Sequence, residues 1–340
     1  MENYFKSKYI KYKLKYLNIF GGDNSYPISK PYKTEFLNVG DNHQMYFEEA
    51  GNPDGIPFLN LHGGPGGGLP KIYTKFYNPK KIRIIGIDQR GCGKSTPFGS
   101  LENNTTWDII KDIEKLREHL KIDKWHVVGG SWGSSLTLLY AISHPERISG
   151  MLIHGVCLLT DSETDWLFKE GASNIYPEVW DEFKNFIPEN ERNDLIKAYY
   201  KRLTSSSEEE RNNACKIWYK WENNMSALKS KNPSHFDKYD MHKVIPIARI
   251  ECHYFVNKCF LPNNNYILDN IDKIKDIPLT ILQGRYDIVC PMISAYQVHK
   301  KLPKSIFKVI NYGSHDSFEK PFINIKTRSI DDMVDSSPSF

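Results

Sequence analysis

The chain has 340 residues and a formal net charge of +4 at pH 7, with 40% hydrophobic and 25% charged residues. These values are typical of a globular protein with a full core, built as one large or two medium domains. No apolar run reaches the roughly 18 residues of a membrane-spanning helix, and no basic stripe carries interleaved aromatic residues. The sequence therefore argues against a membrane span and against a nucleic-acid partner.

The six cysteines are scattered, without a C-x-x-C pair and without a signal peptide ahead of them. This pattern predicts reduced thiols in a cytoplasmic protein. We expect neither a metal nor a cofactor.

The first 30 residues are predicted to be a basic N-terminal extension. Residues 1–20 contain five lysines among tyrosines and isoleucines, and Gly21 and Gly22 follow them. We interpret this segment as an appended amphipathic helix or a disordered arm, with a role at a membrane surface or in targeting as the alternative.

Short apolar runs separated by helical stretches follow the extension. They span residues 58–61, 82–87, 125–128 and 151–154, and apolar residues recur at helical spacing over residues 107–117. Two further runs lie at residues 279–283 and 305–310. This alternation predicts an α/β fold with a mostly parallel sheet.

Residues 161–262 interrupt this pattern, because they are rich in Trp, Tyr, Glu and Lys, show helical periodicity and contain no convincing strand. We therefore predict a sheet-containing core over residues 31–160 and 263–325, with an inserted helical cap over residues 161–262. The polar stretch 326–340 is predicted to be a flexible C-terminal tail.

A pentapeptide at Gly129 to Gly133 carries the strongest chemical signal. It reads G-G-S-W-G, follows the apolar run ending at Val128, and precedes a small and apolar stretch of helical type. A serine on such a strand-to-helix turn is exposed at the top of a parallel sheet, where its hydroxyl can act as a nucleophile. The alternative interpretation of the motif alone is a small-residue turn that packs a helix against the sheet.

A serine nucleophile needs a base and a group that orients the base. In this chain order both partners follow the serine at the ends of later strands. Asp287 comes after the run 279–283, and His315 comes after the run 305–310. These two residues are the candidates for the acid and the base.

The reaction also needs N–H donors for the negatively charged oxygen of the tetrahedral intermediate. The residue after the serine, Trp132, is expected to supply one backbone N–H. The glycine-rich loop His62 to Gly68 follows an early strand and is expected to supply the second from Gly64.

With these pieces in place, the chain resembles the proline iminopeptidases, serine peptidases of the α/β-hydrolase fold that remove an N-terminal proline. The likeness runs from about residue 31 to about residue 322 and rests on several motifs in order. They are H-G-G-P-G-G-G at 62–68, D-Q-R-G-C-G-K-S at 88–95, G-G-S-W-G-S at 129–134, W-Y-K-W-E at 218–222, A-R-I-E-C-H-Y-F at 248–255 and G-R-Y-D-I-V-C-P at 284–291.

The resemblance implies Ser131 as nucleophile, His315 as base and Asp287 as orienting acid. It further implies that Glu222 and Glu251 of the cap bind the free amino group of the substrate. Two carboxylates near a cationic terminus provide charge-assisted hydrogen bonds, which a blocked peptide cannot use. Cys290 matches a position in the wall of the apolar pocket for the proline ring. The implied partners are peptides with a free N-terminal proline.

One departure concerns the loop around the histidine. The family usually reads G-H-S there, whereas this chain has Gly313-Ser314-His315-Asp316-Ser317. A carboxylate at Asp316 is expected to raise the pKa of the imidazole or to compete with Asp287 for it.

Two other functions are compatible with these residues. One is an esterase or amidase of the same fold with another substrate, because fold does not fix function. The other is a non-catalytic binding module, which only the altered histidine loop supports. The oligomeric state is not predicted.

Overall fold

The computed structural model describes residues 5, 8, 9, 24–228 and 239–336 of the chain. Most of the predicted basic extension, residues 1–4, 6, 7 and 10–23, lies outside the described residues. Within that described part, no helix is both long enough and apolar enough to cross a membrane.

One eight-stranded sheet forms the centre of the molecule, with strands in the order β1-β2-β4-β3-β5-β6-β7-β8. The strands are β1 (Lys33–Gly40), β2 (His43–Gly51), β3 (Ile56–Leu61), β4 (Ile82–Ile87), β5 (Trp125–Gly130), β6 (Ile148–His154), β7 (Leu279–Gly284) and β8 (Ile306–Ile310). Strands β3 to β8 are parallel to one another, whereas β2 runs antiparallel to both β1 and β4. The predicted α/β fold with a mostly parallel sheet is confirmed.

The antiparallel pair β1 and β2 was not predicted from the sequence. Strand β1 reads KTEFLNVG, and most of its residues are exposed or half-buried. An edge strand with one solvated face needs few apolar residues, so it lacks the apolar run typical of the central strands.

Within residues 24–228 and 239–336, ten α-helices accompany the sheet. They are α1 (Thr106–His119), α2 (Trp132–Ser143), α3 (Asp161–Phe168), α4 (Pro177–Asn185), α5 (Leu195–Leu203), α6 (Glu208–Met225), α7 (Met241–Val256), α8 (Tyr266–Asn270), α9 (Met292–Lys301) and α10 (Lys320–Asp335). Helix α1 starts at a capping box in which Thr105 and Asp108 each accept from the other's backbone N–H. It contains the predicted helical segment 107–117.

Helices α3 to α7 lie within residues 161–262, the predicted helical cap. Its interior is aromatic: the ring of Phe183 stacks on Tyr199 at 4.3 Å between centroids and contacts Trp218 and Trp221. No strand occurs between residues 161 and 262 in the part of the cap that the structure describes. The aromatic residues that distinguish this stretch in the sequence therefore provide the cap with a hydrophobic core of its own.

The C-terminal prediction is wrong. Instead of a flexible tail beginning at residue 326, helix α10 continues to Asp335. Its buried apolar residues, such as Phe322 and Ile330, recur at helical spacing and pack below the sheet. The many Asp and Ser residues of this stretch concealed an amphipathic helix.

The last residues of the predicted extension also contact the core. The backbone N–H of Tyr26 donates to Lys75 O at 2.8 Å, and the Tyr26 hydroxyl donates to Asp331 of α10. Residues 24–30 are therefore held against the core, and the predicted boundary at residue 30 is too late for this part of the chain.

Candidate active site

Ser131 lies on a sharp turn between β5 and α2. Its backbone has φ 57° and ψ −131°, a conformation that non-glycine residues rarely adopt. The Ser131 N–H donates to His154 O at 3.0 Å, which ties the turn to the end of β6. The strained turn presents the serine at the carboxyl edge of the parallel strands, as the sequence pattern predicts.

The glycines of the pentapeptide permit the close packing around this turn. A Cβ atom on Gly129 would lie 2.0 Å from Gly133 O, and one on Gly133 would lie 2.3 Å from Leu61 O. Any side chain at either position would force the strand and helix apart. The motif thus both shapes the turn and positions the serine.

His315 and Asp287 form a hydrogen-bonded pair beside this edge of the sheet. His315 Nδ1 lies 2.9 Å from Asp287 Oδ2 and 3.0 Å from Oδ1, and the Asp287 side chain is buried. The loops after β7 and β8 meet here because the two strands are parallel neighbours. The aspartate holds Nδ1 as the donor, which leaves Nε2 free to accept a proton.

The environment of His315 favours its protonated form. Burial lowers the pKa of the imidazole, whereas the charge and the hydrogen bond of the Asp287 carboxylate raise it, and the net shift is upward. Glu222 and Asp316 raise this pKa further. The first of the two expectations for Asp316 is therefore confirmed. The second is wrong, because Asp316 Oδ1 accepts from Phe318 N–H while Asp287 holds the ring.

Ser314, which separates the glycine from the histidine, anchors this loop to the cap. Its hydroxyl donates to Ser226 O at 3.0 Å, and its backbone N–H donates to Glu319 Oε2 at 3.0 Å. The Asp316 N–H also donates to Ser226 O. The unusual loop sequence thus fixes the histidine against the end of helix α6.

Ser131 and His315 both line an open cleft of about 400 Å³ between the sheet edge and the cap. No hydrogen bond joins the two side chains among the residues that the structure describes. Hydrogen bonds of this kind are often long in a ligand-free site and shorten when substrate binds.

Gly64 and Trp132 are the two residues predicted to supply backbone N–H donors for the oxyanion. Trp132 is the first residue of α2, so its N–H belongs to the first turn, which has no intrahelical acceptor. Gly64 has φ +109°, and a Cβ there would lie 2.6 Å from Gly66 N. Both Gly64 and Trp132 line an apolar pocket that Ser131 also borders.

Glu222 and Glu251 face this same pocket from the cap helices α6 and α7. Glu251 is 3% exposed and accepts a hydrogen bond of 2.6 Å from Trp218 Nε1. Burial raises the pKa of Glu251 well above its ordinary value, and the neighbouring Glu222 carboxylate raises it further. Two close carboxylates in a buried place predict a site that binds a cation.

Cys290 is a buried wall residue of the apolar pocket. A hydrogen bond with Cys157 and burial raise the pKa of its thiol well above the ordinary value. Thiolate is the nucleophilic form of cysteine, so a raised pKa does not suit a nucleophile. The environment agrees with the predicted role in the pocket wall.

Sequence reasoning missed several residues that support the site. Gln283 is fully buried, donates to Cys290 O at 2.8 Å and reaches Asp287 Oδ2 at 3.4 Å. Glu163 caps helix α3 and borders the apolar pocket beside Cys157. A polar residue at the end of an apolar strand was the available signal for Gln283, but nothing local distinguishes Glu163 from a solvated glutamate.

Comparisons with known proteins identify the family of this chain. The model of a family described as alpha/beta hydrolase fold matches residues 56–321. Proline iminopeptidase from Arabidopsis thaliana is 49% identical over 292 residues, covering 85% of this chain and 77% of the relative. Proline iminopeptidase from Neisseria gonorrhoeae is 46% identical over 310 residues, covering 91% of this chain and 98% of the relative. The chain belongs to the proline iminopeptidase family.

Solved structures of much lower sequence identity show the same fold. A proline iminopeptidase from Mycobacterium smegmatis superposes with a TM-score of 0.56 at 17% identity, covering 90% of this chain and 100% of that one. An alpha/beta hydrolase from a Medee basin deep-sea metagenome gives a TM-score of 0.61 at 16% identity, covering 90% and 99%. At such identities the likeness concerns the fold, whereas the closer relatives confirm the family that the motifs indicated.

Proposed function

We propose that this member of the proline iminopeptidase family releases N-terminal proline from peptides through an acyl-enzyme on Ser131. One observation carries the proposal: Ser131 and Glu222 line both the open cleft and the apolar pocket, while His315, paired with Asp287, lines the cleft and Glu251 lines the pocket. A nucleophile with a base is required for acyl transfer, and a buried anionic pair is suited to a substrate ammonium.

In the proposed mechanism His315 Nε2 accepts the Ser131 proton while Oγ attacks the prolyl carbonyl. The backbone N–H groups of Gly64 and Trp132 donate to the resulting oxyanion. His315 then protonates the leaving amine, and Asp287 stabilises the imidazolium during both steps. Water attacks the acyl-enzyme with His315 again as base, and free proline leaves.

Glu222 and Glu251 supply the selectivity for a free N-terminus. Burial and the neighbouring Glu222 charge raise the pKa of Glu251, so Glu251 holds a proton more readily than an isolated glutamate does. A bound substrate ammonium offsets the repulsion between the Glu222 and Glu251 carboxylates and cannot accept a proton. Its binding therefore favours the state in which both carboxylates are ionised. An acylated or internal proline nitrogen carries no charge and leaves the pair uncompensated, which restricts the reaction to chain ends.

The nucleophile is tested by Ser131→Ala with proline p-nitroanilide as substrate. We expect kcat/KM to fall by at least about 10⁴-fold, as for other isolated losses of a serine nucleophile. A fluorophosphonate should label the wild-type protein and not the variant. Undiminished turnover in the variant would refute the assignment of Ser131, and folded wild-type protein that resists labelling would favour a non-catalytic binding module.

The amine site is tested by Glu222→Gln. Loss of one charge should lower kcat/KM for proline p-nitroanilide by about 30-fold or more. Cleavage of p-nitrophenyl acetate, which has no amino group, should change much less. Glu210→Gln, an exposed position on the same helix α6, is the matched control. Equal cleavage of proline p-nitroanilide and its N-acetyl form by the wild type would contradict amine recognition and favour the esterase or amidase alternative.

A further inference from the structure

A buried lysine borders the open cleft on the side of the sheet. Lys326 of α10 is 4% exposed and lines the same cleft as Ser131. Its Nζ lies 2.9 Å from His154 Nε2 and 4.2 Å above the centre of the Phe76 ring. Neither partner carries a negative charge.

No carboxylate among the described residues forms an ion pair with this ammonium group. Burial lowers the pKa of Lys326 to about 7, and no neighbouring anion opposes that effect. Burial and the Lys326 charge both lower the pKa of His154, which keeps its ring neutral and able to accept from Nζ. A buried cation without a counter-ion is costly, and the face of a phenyl ring compensates it less than a carboxylate does.

His154 places this lysine close to the nucleophile. The imidazole packs so tightly on β5 that a Cβ atom on Gly130 would lie 2.4 Å from His154 Nε2. His154 O also accepts the Ser131 N–H. Lys326 Nζ therefore bonds to the ring of the residue whose backbone carbonyl accepts the Ser131 N–H.

The cleft carries opposite charges around Ser131. Its anionic residues are Glu222 of the cap and Asp316 of the core, and Glu251 lies in the apolar pocket that also borders Ser131. Its cationic residues are Lys243 of the cap and Lys326 of the core, of which Lys326 is buried. Asn60 lines the cleft as well, and its Oδ1 accepts from the Tyr77 hydroxyl at 2.9 Å, so its amide NH₂ remains as a further donor. A short peptide with a free ammonium and a free carboxylate has the complementary arrangement.

We propose that Lys326, held by His154, binds the C-terminal carboxylate of short peptide substrates, so that free dipeptides or tripeptides are preferred to longer or C-terminally blocked ones. This inference rests on the proposed function, since it assumes that the bond cleaved at Ser131 follows an N-terminal proline. Under this proposal, helix α10 contributes the residue that binds the leaving-group end of the substrate.

The test compares Pro-Ala and Pro-Ala-Ala, each as the free acid and as the C-terminal amide. In the wild type, kcat/KM for the acid should exceed that for the amide by about tenfold or more at one of these lengths. In Lys326→Met this ratio should fall towards one, with most of the change in KM for the acid. A general loss of activity cancels in the ratio, because the two substrates differ only at the terminal group.

Lys308→Met is the matched control. Lys308 Nζ donates to Ser329 Oγ of the same helix without lining the cleft, so this variant should keep the wild-type ratio. Lys326→Gln, which can still donate to His154, repeats the test should the methionine variant not fold.

Two results would overturn the inference. One is a wild-type ratio near one at both lengths, and the other is an unchanged ratio in the Lys326 variants, which would indicate a structural lysine. Proline p-nitroanilide has no carboxylate, so it distinguishes a failure of this inference from a failure of the proposed function. If the enzyme cleaves proline p-nitroanilide in a Ser131-dependent way but does not prefer acids to amides, only the role of Lys326 is refuted. If it cleaves none of these substrates, the proposed function itself is refuted.

Discussion

Asp316 adds a negative charge directly after the histidine, where the family usually has a serine. The structure separates its role from that of Asp287, because Asp287 accepts from the ring nitrogen and Asp316 acts on the imidazole through space. Ser314 compensates for the altered loop by bonding to the cap at Ser226. The departure from the family pattern therefore raises the pKa of His315 and leaves its hydrogen bond to Asp287 in place.

We predict that Asp316→Asn lowers the pKa of His315, because the charge that it removes is one that raises this pKa. The base must be neutral to accept the serine proton, so the acid limb of the kcat/KM profile should move to lower pH with little change in the plateau. The asparagine can still accept from Phe318 N–H, which preserves the loop.

Asp287→Asn is the contrasting variant for this pH profile. It should lower the plateau itself by about 10⁴-fold, because the wrong tautomer of the base is then favoured. A plateau loss of similar size in Asp316→Asn would show that Asp316, and not Asp287, orients the histidine.

Helix α10 is the element that sequence reasoning mistook for a flexible tail. Arg328, Asp332 and Asp335 are exposed, while Ile330 is fully buried among the apolar side chains below the sheet. The same helix carries Lys326 into the cleft. An element that the composition assigned to disorder thus contributes both to the core and to the site.

We predict that Ile330→Ala lowers the free energy of unfolding by about 2–5 kcal/mol, the usual cost of a cavity at a fully buried aliphatic residue. Arg328→Ala, at an exposed position of the same helix, should change it by less than about 0.5 kcal/mol. Urea denaturation followed by tryptophan fluorescence measures both. Equal stability of the two variants would mean that residues 326–335 do not pack on the core in solution.

At the scale of the whole molecule, the site exists only where the cap meets the core. The glycine-rich loop of the core contacts the cap helix α7 at Gly66, where a Cβ atom would lie 2.5 Å from Pro246 O. Glu251 belongs to this same helix, so the contact fixes the distance between the amine site and the loop that contains Gly64. The relative position of cap and core therefore determines whether the amine site and the oxyanion donors act on one substrate.

We predict that Gly66→Ala displaces the cap and lowers kcat/KM for proline p-nitroanilide by about tenfold or more, since small misplacements of catalytic groups are costly. Gly99→Ala is a matched control, because Gly99 also has a positive φ, of +63°, but a Cβ atom there would come no closer than 3.5 Å to a neighbour, at Ile245 Cγ2. The control should lose stability from backbone strain alone, about 1–2 kcal/mol, and keep its kcat/KM. Comparable losses of activity in both variants would assign the effect to strain and not to the cap contact.

The sequence by itself determined the parallel strands, the serine turn and the order of Ser131, Asp287 and His315, because these features depend on local periodicity and on glycines at fixed spacing. The family motifs added the pair Glu222 and Glu251. Only the tertiary structure decided which aspartate holds the histidine, since both are close to it in space while one lies 28 residues away in the chain. It also decided the burial of α10 and the place of Lys326, because burial depends on packing between distant segments, and a lysine in a polar stretch looks the same in sequence whether it faces water or a cleft.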